Sequence, residues 1–221
     1  MPCAALDVWG AAHYVPTGME SSVINKTRGR PREFCPDKAL AAALQVFWKN
    51  GYEGASLVEL TEAMGITKPS LYACFGNKEA LFKKALDLYE RDKLAYVSSA
   101  LDAPTARLVA ERLLHGALRT HCSESDPQGC LGVISMVACT AEADSIREHI
   151  IARRASSEAA MVERFERARA EGDLPAHVDP KALAQCLTTV IQGLSVRAQS
   201  GASAAEQKSV IEAFLAMWPS S

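Results

Sequence analysis

Three polar side chains stand close together in the stretch TKPSLY, and their chemistry suits nucleic acid. Lys68 can donate hydrogen bonds to the acceptor atoms of guanine, Ser70 can donate or accept, and Tyr72 can donate to a phosphate oxygen. An α-helix that carries such groups near its N-terminus fits the major groove of DNA. The spacing therefore suggests a helix that reads base edges.

Lys78 adds a fourth candidate contact a few residues further along. It follows Asn77, which can cap the N-terminus of the next helix by accepting a backbone hydrogen bond. The free amides of a helix N-terminus and a lysine ammonium can hold one phosphate together. We expect Lys78 to contact the DNA backbone.

Two short helices must position these side chains. Ser56 and Glu59 form a Ser-x-x-Glu capping box, which begins the first helix, and Gly65 follows its last residue. Thr67 can cap the second helix, and Pro69 is tolerated in its first turn. Two helices joined by a tight turn that contains glycine make a helix-turn-helix. In that arrangement the apolar residues face a core, and these are Leu60, Met64, Ile66, Leu71 and Phe75.

The remaining pattern is helical throughout, which predicts an all-α fold. A first helix begins near Pro36 and ends at Gly51, and a fourth runs without a break from Asn77 to about Leu101. At the helical rise per residue, that fourth helix would be a rod of roughly 37 Å. Five further helices are predicted near 104–122, 128–140, 142–171, 179–200 and 203–218.

Charge is distributed unevenly along the chain. Residues 26–84 contain ten Lys and Arg against six Asp and Glu, a net charge of +4, whereas residues 85–221 have a net charge of −4. A basic segment on an acidic body is expected when only one end of a protein faces a polyanion. Seven cysteines without framework spacing indicate reduced thiols and a cytoplasmic protein. No apolar run is long enough to span a membrane.

The segment from Gly51 to Phe82 resembles the DNA-binding domain of the TetR family of bacterial transcriptional regulators. The shared features are Gly-Tyr at 51–52, the Ser56 cap, Gly65-Ile66, SLY at 70–72, Phe75 and NKEALF at 77–82. The resemblance implies DNA-facing positions at Lys68, Pro69, Ser70 and Tyr72, beside the capping Thr67, with phosphate contacts at Ser56 and Lys78.

We expect three regions along the chain. Residues 1–25 form a disordered leader in which Met19 is an alternative start, and residues 26–84 form the helix-turn-helix domain. The latter begins with a basic arm, and its arginines are expected to lie in the adjacent minor groove: Arg28, Arg30 and Arg32. The resemblance implies that residues 85–221 form a helical ligand-binding and dimerisation domain.

A homodimer is expected for a second reason. One short reading helix contacts few bases, whereas a two-fold dimer reads two half-sites about one DNA turn apart. The last two predicted helices are apolar around much of their circumference, more than one core face requires. A buried core helix is the alternative interpretation. The residues predicted for the interface are Leu187, Ile191, Leu194, Phe214 and Trp218.

The signal is expected to be a small, mostly apolar molecule, because the helices of the second half supply Leu, Val, Ile and Met with few fixed charges. An alternative sensor is Cys130, at the start of a predicted helix, where aligned amides would lower the pKa of a thiol. Some TetR-like repressors with a comparable GCL segment respond to electrophiles or oxidants. A buried structural thiol is the simpler interpretation of Cys130.

The leading interpretation is a ligand-responsive DNA-binding homodimer that acts as a repressor. Two other function classes fit the sequence less well. A small enzyme would use Cys130 as nucleophile and His121 or His149 as base, but the chain lacks a nucleophile elbow, a phosphate loop and paired metal-ligand spacing. A helical adaptor would not explain the arm and the polar helix together. A metal site from His115, His121, Cys122 and Cys130 lacks short paired spacing, so we expect no metal and no cofactor.

Overall fold

The computed structural model describes residues 34–137 and 143–219, and every regular element in these ranges is an α-helix. The predicted leader and basic arm, including Arg28, Arg30 and Arg32, lie outside the described residues. The all-α prediction is confirmed. The helices, in chain order, are α1 Pro36–Gly54, α2 Leu57–Met64, α3 Lys68–Phe75, α4 Lys78–Lys93, α5 Tyr96–Leu101, α6 Ala106–His121, α7 Leu131–Val137, α8 Asp144–Ala170, α9 Pro180–Gln199 and α10 Ala204–Ala216.

Side-chain caps define most of the helix starts, as the sequence predicted. Ser56 and Glu59 form a reciprocal capping box at α2, and Ser203 forms another at α10. Thr67 caps α3, and Asn77 caps α4. Each cap satisfies amide groups that have no partner inside the helix, so these boundaries follow from local sequence.

The fourth helix is shorter than predicted. It ends at Lys93, and Leu94 has φ −106° and ψ 9°, so the chain breaks before α5 begins at Tyr96. The expected continuous rod from Asn77 to Leu101 is therefore wrong. The Thr120 hydroxyl in α6 donates a hydrogen bond to the Lys93 carbonyl at 3.3 Å. This bond gives the carbonyl a partner at the point where α4 ends. The first helix was predicted to end at Gly51; it bends there, at a φ of 71°, and continues to Gly54.

One core joins α1–α4 to α7 and the start of α8. Its aromatic centre consists of edge-on pairs, Phe47 with Phe82 and Trp48 with Tyr89, whose ring centroids lie 5.1 and 4.7 Å apart. The apolar residues Leu131, Ile146 and Ile150 complete this core from the second half of the chain. The helix-turn-helix region thus packs directly on later helices, and the domain boundary predicted near residue 85 does not separate two independent cores.

A second core joins α5, α6, α8, α9 and α10. Arg164 is buried beside it and donates to two carbonyls at the end of α5, from Nη2 to Ala103 at 2.7 Å and from Nε to Leu101 at 3.1 Å. Its charge therefore supports the C-terminal end of a helix. Among the described residues, no helix is both long and apolar enough to cross a membrane.

Candidate DNA-binding surface and ligand cavity

The α2–α3 turn has the geometry of a helix-turn-helix. Gly65 adopts a left-handed conformation with φ 63° and ψ 34°, and its amide donates to the Glu62 carbonyl at 3.1 Å. The next amide, of Ile66, donates to the Thr61 carbonyl at the same distance. A side chain at residue 65 would be strained in this conformation, so glycine fixes the angle between the two helices.

The solvent face of α3 carries the predicted reading residues. Leu71 and Phe75 are buried, while Lys68 is exposed and Tyr72 is 49% exposed. Lys68 and Tyr72 are four residues apart and so share one face of the helix. An aromatic side chain left this open to solvent is available for a partner rather than for the core.

The other polar residues of α3 are partly committed to the cap. The Thr67 hydroxyl accepts a hydrogen bond from the Ser70 amide at 3.3 Å and lies 3.0 Å from the Ser70 hydroxyl. Pro69 is exposed in the first turn. These contacts stabilise the first turn of α3, in which Lys68 lies.

Ser56 and Lys78 lie at two helix starts close to α3. The Ser56 hydroxyl accepts from the Glu59 amide at 3.1 Å, so its own proton remains able to donate to a phosphate. The Lys78 ammonium is half-buried, 4.6 Å from the ring centroid of Tyr52, and donates to the Glu53 carbonyl at 3.4 Å. Burial lowers the pKa of Lys78, and the charges of Glu53 and Glu59 oppose that shift.

A partly open cavity of about 180 Å³ lies where six helices meet. Its walls are mainly apolar, and each helix from α4 to α9 contributes. Representative wall residues are Leu86, Val97, Leu113, Val133, Met161 and Ile191. The cavity therefore combines the mostly apolar lining that was predicted for a ligand site with access to both halves of the chain.

Three polar groups of the cavity wall have a buried atom without a hydrogen-bond partner in the described residues, and these atoms are His121 Nδ1, Arg154 Nη2 and the Thr188 hydroxyl. The Tyr89 hydroxyl is also buried in this wall and lies beside the Cys130 thiol and the Leu131 backbone. Burial raises the pKa of Tyr89 well above its ordinary value and lowers that of His121 to about 4, so both are neutral at pH 7. The sequence reasoning missed Tyr89, Arg154 and Thr188, and the one available signal was the adjacent arginine pair at 153–154 on a helix with a buried face.

Cys130 also lines this cavity, immediately before α7. Its amide donates to the Ser195 hydroxyl at 2.7 Å, and its side chain is half-buried against the first core. Of the histidines proposed as its base, His121 lines the same cavity, whereas His149 accepts a hydrogen bond from Arg153 Nε at 3.1 Å. In the described part of the chain, no three metal-ligating side chains converge, and this includes His115, His121, Cys122 and Cys130.

The predicted dimer residues lie mostly inside the chain. Leu187, Leu194 and Trp218 are buried in the second core, Phe214 packs beside Trp218 with ring centroids 6.0 Å apart, and Ile191 lines the cavity. The chain's own helices cover Leu187, Leu194 and Trp218, whereas Ile191 and Phe214 are half-buried, and the assignment of these two to a subunit interface stays a prediction. The apolar circumference of α9 and α10 exceeds one core face. Part of it packs in the second core, and another part, on α9, lines the cavity.

Two sets of contacts connect the cavity wall to the helix-turn-helix region. The indole of Trp48 in α1 donates to the Gly129 carbonyl beside Cys130, and Arg153 in α8 forms ion pairs with Asp87 and Glu90 in α4. Arg153 and Glu90 are themselves part of the cavity wall. The cavity wall is therefore in direct contact with α4, the helix that begins at Lys78.

Family comparisons cover most of the chain. Residues 39–85 match the model for bacterial regulatory proteins of the tetR family, and residues 105–214 match the tetracyclin repressor-like C-terminal domain. The HTH-type transcriptional repressor ComR of Escherichia coli K12 is 33% identical over 198 residues, covering 89% of this chain and 94% of ComR. The repressor BdcR of the same organism is 29% identical over 185 residues, covering 81% and 86%.

A solved structure gives a similar result. A cysteine mutant of the TetR family transcriptional regulator CifR, complexed with 26-bp double-strand operator DNA, is 43% identical, with a TM-score of 0.81. The match covers 86% of this chain and all of the CifR chain.

Proposed function

The chain belongs to the TetR family of bacterial regulatory proteins, DNA-binding transcriptional regulators, and on that premise we propose that it is a homodimeric repressor that a small molecule releases from its operator. The observation that carries this proposal is the exposed polar face of α3, held by a capped helix-turn-helix that packs on the same core as the cavity wall. A bacterial protein with this role acts in the cytoplasm, where the DNA is.

We assign the DNA contacts to the exposed start of α3 and its neighbours. Lys68 reads base edges, and Tyr72 donates to a phosphate. Ser56 and Lys78 are assigned to phosphates, and the half-buried position of Lys78 suits a contact whose direction is fixed. The remaining assigned residues position α3 or follow the groove, and they are Thr67, Pro69, Ser70, Arg28, Arg30 and Arg32.

A homodimer is proposed because α3 spans only eight residues and reads few base pairs alone. With the core positions of α9 and α10 already covered, the surface for a second copy is assigned to their exposed side. Two large apolar side chains are exposed in this part of the chain, Val196 on α9 at 46% and Met217 directly after α10 at 75%. Sedimentation of the Val196→Glu and Met217→Glu variants tests this surface, and we expect dissociation to a folded monomer.

Repression is proposed because ComR and BdcR are repressors and because the cavity is suited to a releasing ligand. A ligand shifts an equilibrium only when it favours one conformation, so it must contact parts that move relative to each other. The cavity wall includes Leu86 in α4 and Val97 in α5, on either side of the break at Leu94. Filling it can change the angle at this break and therefore the separation of two reading helices.

The experiment that tests this function is a footprint on the DNA upstream of the protein's own gene. We expect protection of two half-sites about one helical turn apart, with an affinity that falls steeply as salt rises. A small-molecule screen on that fragment should find compounds that release the protein. Affinity that is equal for all sequences, or release by none of the compounds, would contradict the proposal.

A second candidate signal is an electrophile that reacts with Cys130. The observation that favours it is that this half-buried thiol lines the cavity together with Tyr89 and Arg154. N-ethylmaleimide should then release the wild type from DNA but leave a Cys130→Ser variant bound. The matched control is Cys186→Ser, which removes an exposed thiol on α9 and should respond like the wild type.

A further inference from the structure

The cavity wall contains an arginine without an acidic partner. Arg154 Nη1 lies 3.4 Å from the Met136 sulfur, and Nη2 is buried without a hydrogen bond in the described residues. Buried polar groups in folded proteins are almost always hydrogen-bonded, and buried charges are almost always paired. The buried Nη2 of Arg154, a residue of the cavity wall, can therefore donate to an acceptor that the described residues do not supply.

None of the other charged groups of the wall forms an ion pair with Arg154 in the described residues. Arg153 pairs with Glu90 and with Asp87, and the Glu158 carboxylate accepts a hydrogen bond from Gln185 Nε2 at 3.2 Å. Within residues 34–137 and 143–219, no carboxylate lies within 4.0 Å of Arg154. The wall charges of Glu90, Arg153, Arg154 and Glu158 sum to zero, but the Arg154 guanidinium is not held in an ion pair within these ranges.

Further donors line the same cavity. The Tyr89 hydroxyl is buried and neutral beside the Cys130 thiol, and the Thr188 hydroxyl has no hydrogen-bond partner in the described residues. A neutral His121 can present Nδ1 as a donor or an acceptor. Two hydroxyls and a guanidinium around an apolar space suit a ligand with acceptor oxygens at one end.

We propose that the ligand of this cavity is a small monocarboxylic acid bound as its anion, with the carboxylate at Arg154 and an apolar body against Leu113, Met161 and Ile191. This inference rests on the proposed ligand-responsive function. The planar guanidinium matches a carboxylate in shape. Size sets the class further: a void of about 150 Å³ holds a molecule of benzene size, and this cavity measures about 180 Å³.

The test compares ligands that differ in charge but not in shape. Sodium benzoate and sodium hexanoate are titrated into the full chain by calorimetry at pH 7, beside benzamide and hexanamide. We expect each acid to bind at least tenfold more tightly than its amide. The Arg154→Gln variant should lose this preference, and Tyr89→Phe should weaken the acids several-fold.

A matched control removes a positive charge from the same helix. Arg167 is 59% exposed on α8, away from the cavity wall, so Arg167→Gln should keep the tenfold preference. Circular dichroism checks that each variant is folded. If Arg154→Gln does not fold, the comparison of acid with amide on the wild type still decides the question.

Two results would overturn the inference. One is an amide that binds as tightly as its acid, and the other is the absence of binding by both acids at millimolar concentration. If an uncharged compound then releases the operator, the carboxylate assignment fails while the repressor function stands. If no compound of any charge alters operator affinity, the proposed function itself fails.

Discussion

The indole Nε1 of Trp48 donates a hydrogen bond to the Gly129 carbonyl at 3.0 Å, across 81 residues of sequence. The next residue, Cys130, lines the cavity and donates its amide proton to the Ser195 hydroxyl. These two bonds join α1, the cavity wall and α9. The loop before α7 is thereby fixed at both sides, and buried contacts connect the cavity wall to α1.

The Trp48→Phe variant tests the stability of this connection. It leaves a buried carbonyl without its donor, which typically costs about 1–3 kcal/mol. Trp218→Phe is the control, because that indole is also buried but has no hydrogen bond in the described residues. Urea unfolding should show a larger loss for Trp48→Phe, and equal losses would mean that the hydrogen bond contributes nothing beyond packing.

Lys68→Ala tests the reading assignment. If the ammonium contacts a base, the change should weaken operator binding by about 1–3 kcal/mol and relax the base preference at one position. Fluorescence anisotropy on the operator and on a scrambled duplex measures both effects. Tyr72→Phe should instead weaken the two duplexes equally, since a phosphate contact carries no base information.

The control for Lys68 is Lys181→Ala, which removes an exposed lysine at the start of α9. It should leave operator affinity within twofold of the wild type. If Lys68→Ala behaves like Lys181→Ala in a folded protein, α3 does not read bases through this residue.

Gly116→Ala tests the packing that supports the break between α4 and α5. A Cβ at residue 116 would stand 2.2 Å from two ring carbons of Tyr96. Overpacking of this kind typically costs about 1–3 kcal/mol, which exceeds the gain of roughly 0.5–1 kcal/mol from replacing a helical glycine. Thermal unfolding should therefore show destabilisation.

Gly193→Ala is the matched comparison, because a Cβ there meets no atom within 4 Å. With no clash, the propensity gain alone remains, and we expect a stabilisation of about 0.5–1 kcal/mol. The Gly116→Ala change should thus lower the free energy of unfolding, and the Gly193→Ala change should raise it. The same sign for both would contradict the close Gly116–Tyr96 contact.

His121 predicts a pH dependence. Burial lowers its pKa from 6.5 to about 4. As the pH falls, His121 is therefore protonated in the unfolded chain before it is protonated in the folded chain. The contribution of the neutral, buried ring to the free energy of unfolding is complete above pH 6.5 and is lost as the pH falls towards 4. One pKa unit corresponds to about 1.4 kcal/mol, so the loss is on the order of 3 kcal/mol.

The measurement is urea unfolding of the wild type and His121→Gln at several pH values between 7 and 4. The difference between the two should narrow as the pH falls, because only the wild type loses the histidine contribution. His177→Gln, at an exposed position, should follow the wild type throughout. A constant difference between His121→Gln and the wild type would show that the buried ring does not titrate in this range.

Local motifs carried the successful predictions. The caps at Ser56, Thr67 and Asn77 act within three residues, and the glycine turns depend on single φ angles, so sequence alone specifies them. The burial of Leu71 and Phe75 follows in turn from the helical period of α3.

Long-range packing explains the failures. The break at Leu94 interrupts a stretch with good helical pattern, and the ring of Tyr96 beside Gly116 on α6 is a tertiary contact that periodicity does not contain. Leu187, Leu194 and Trp218 looked like an interface because hydrophobicity does not reveal which apolar surface will cover a side chain. The cavity likewise depends on the meeting of six helices, which brings Tyr89 and Arg154 together from distant parts of the chain.

The central claim is that the ligand and the operator bind to different conformations of one protein. Linkage then requires that the operator weaken ligand binding by the same factor by which the ligand weakens operator binding. Calorimetric titration of a releasing compound, with and without saturating operator duplex, measures this factor directly. We predict that the two factors agree and exceed about fivefold. Equal ligand affinity in the presence and absence of operator would contradict the account and leave a DNA-binding protein without ligand control.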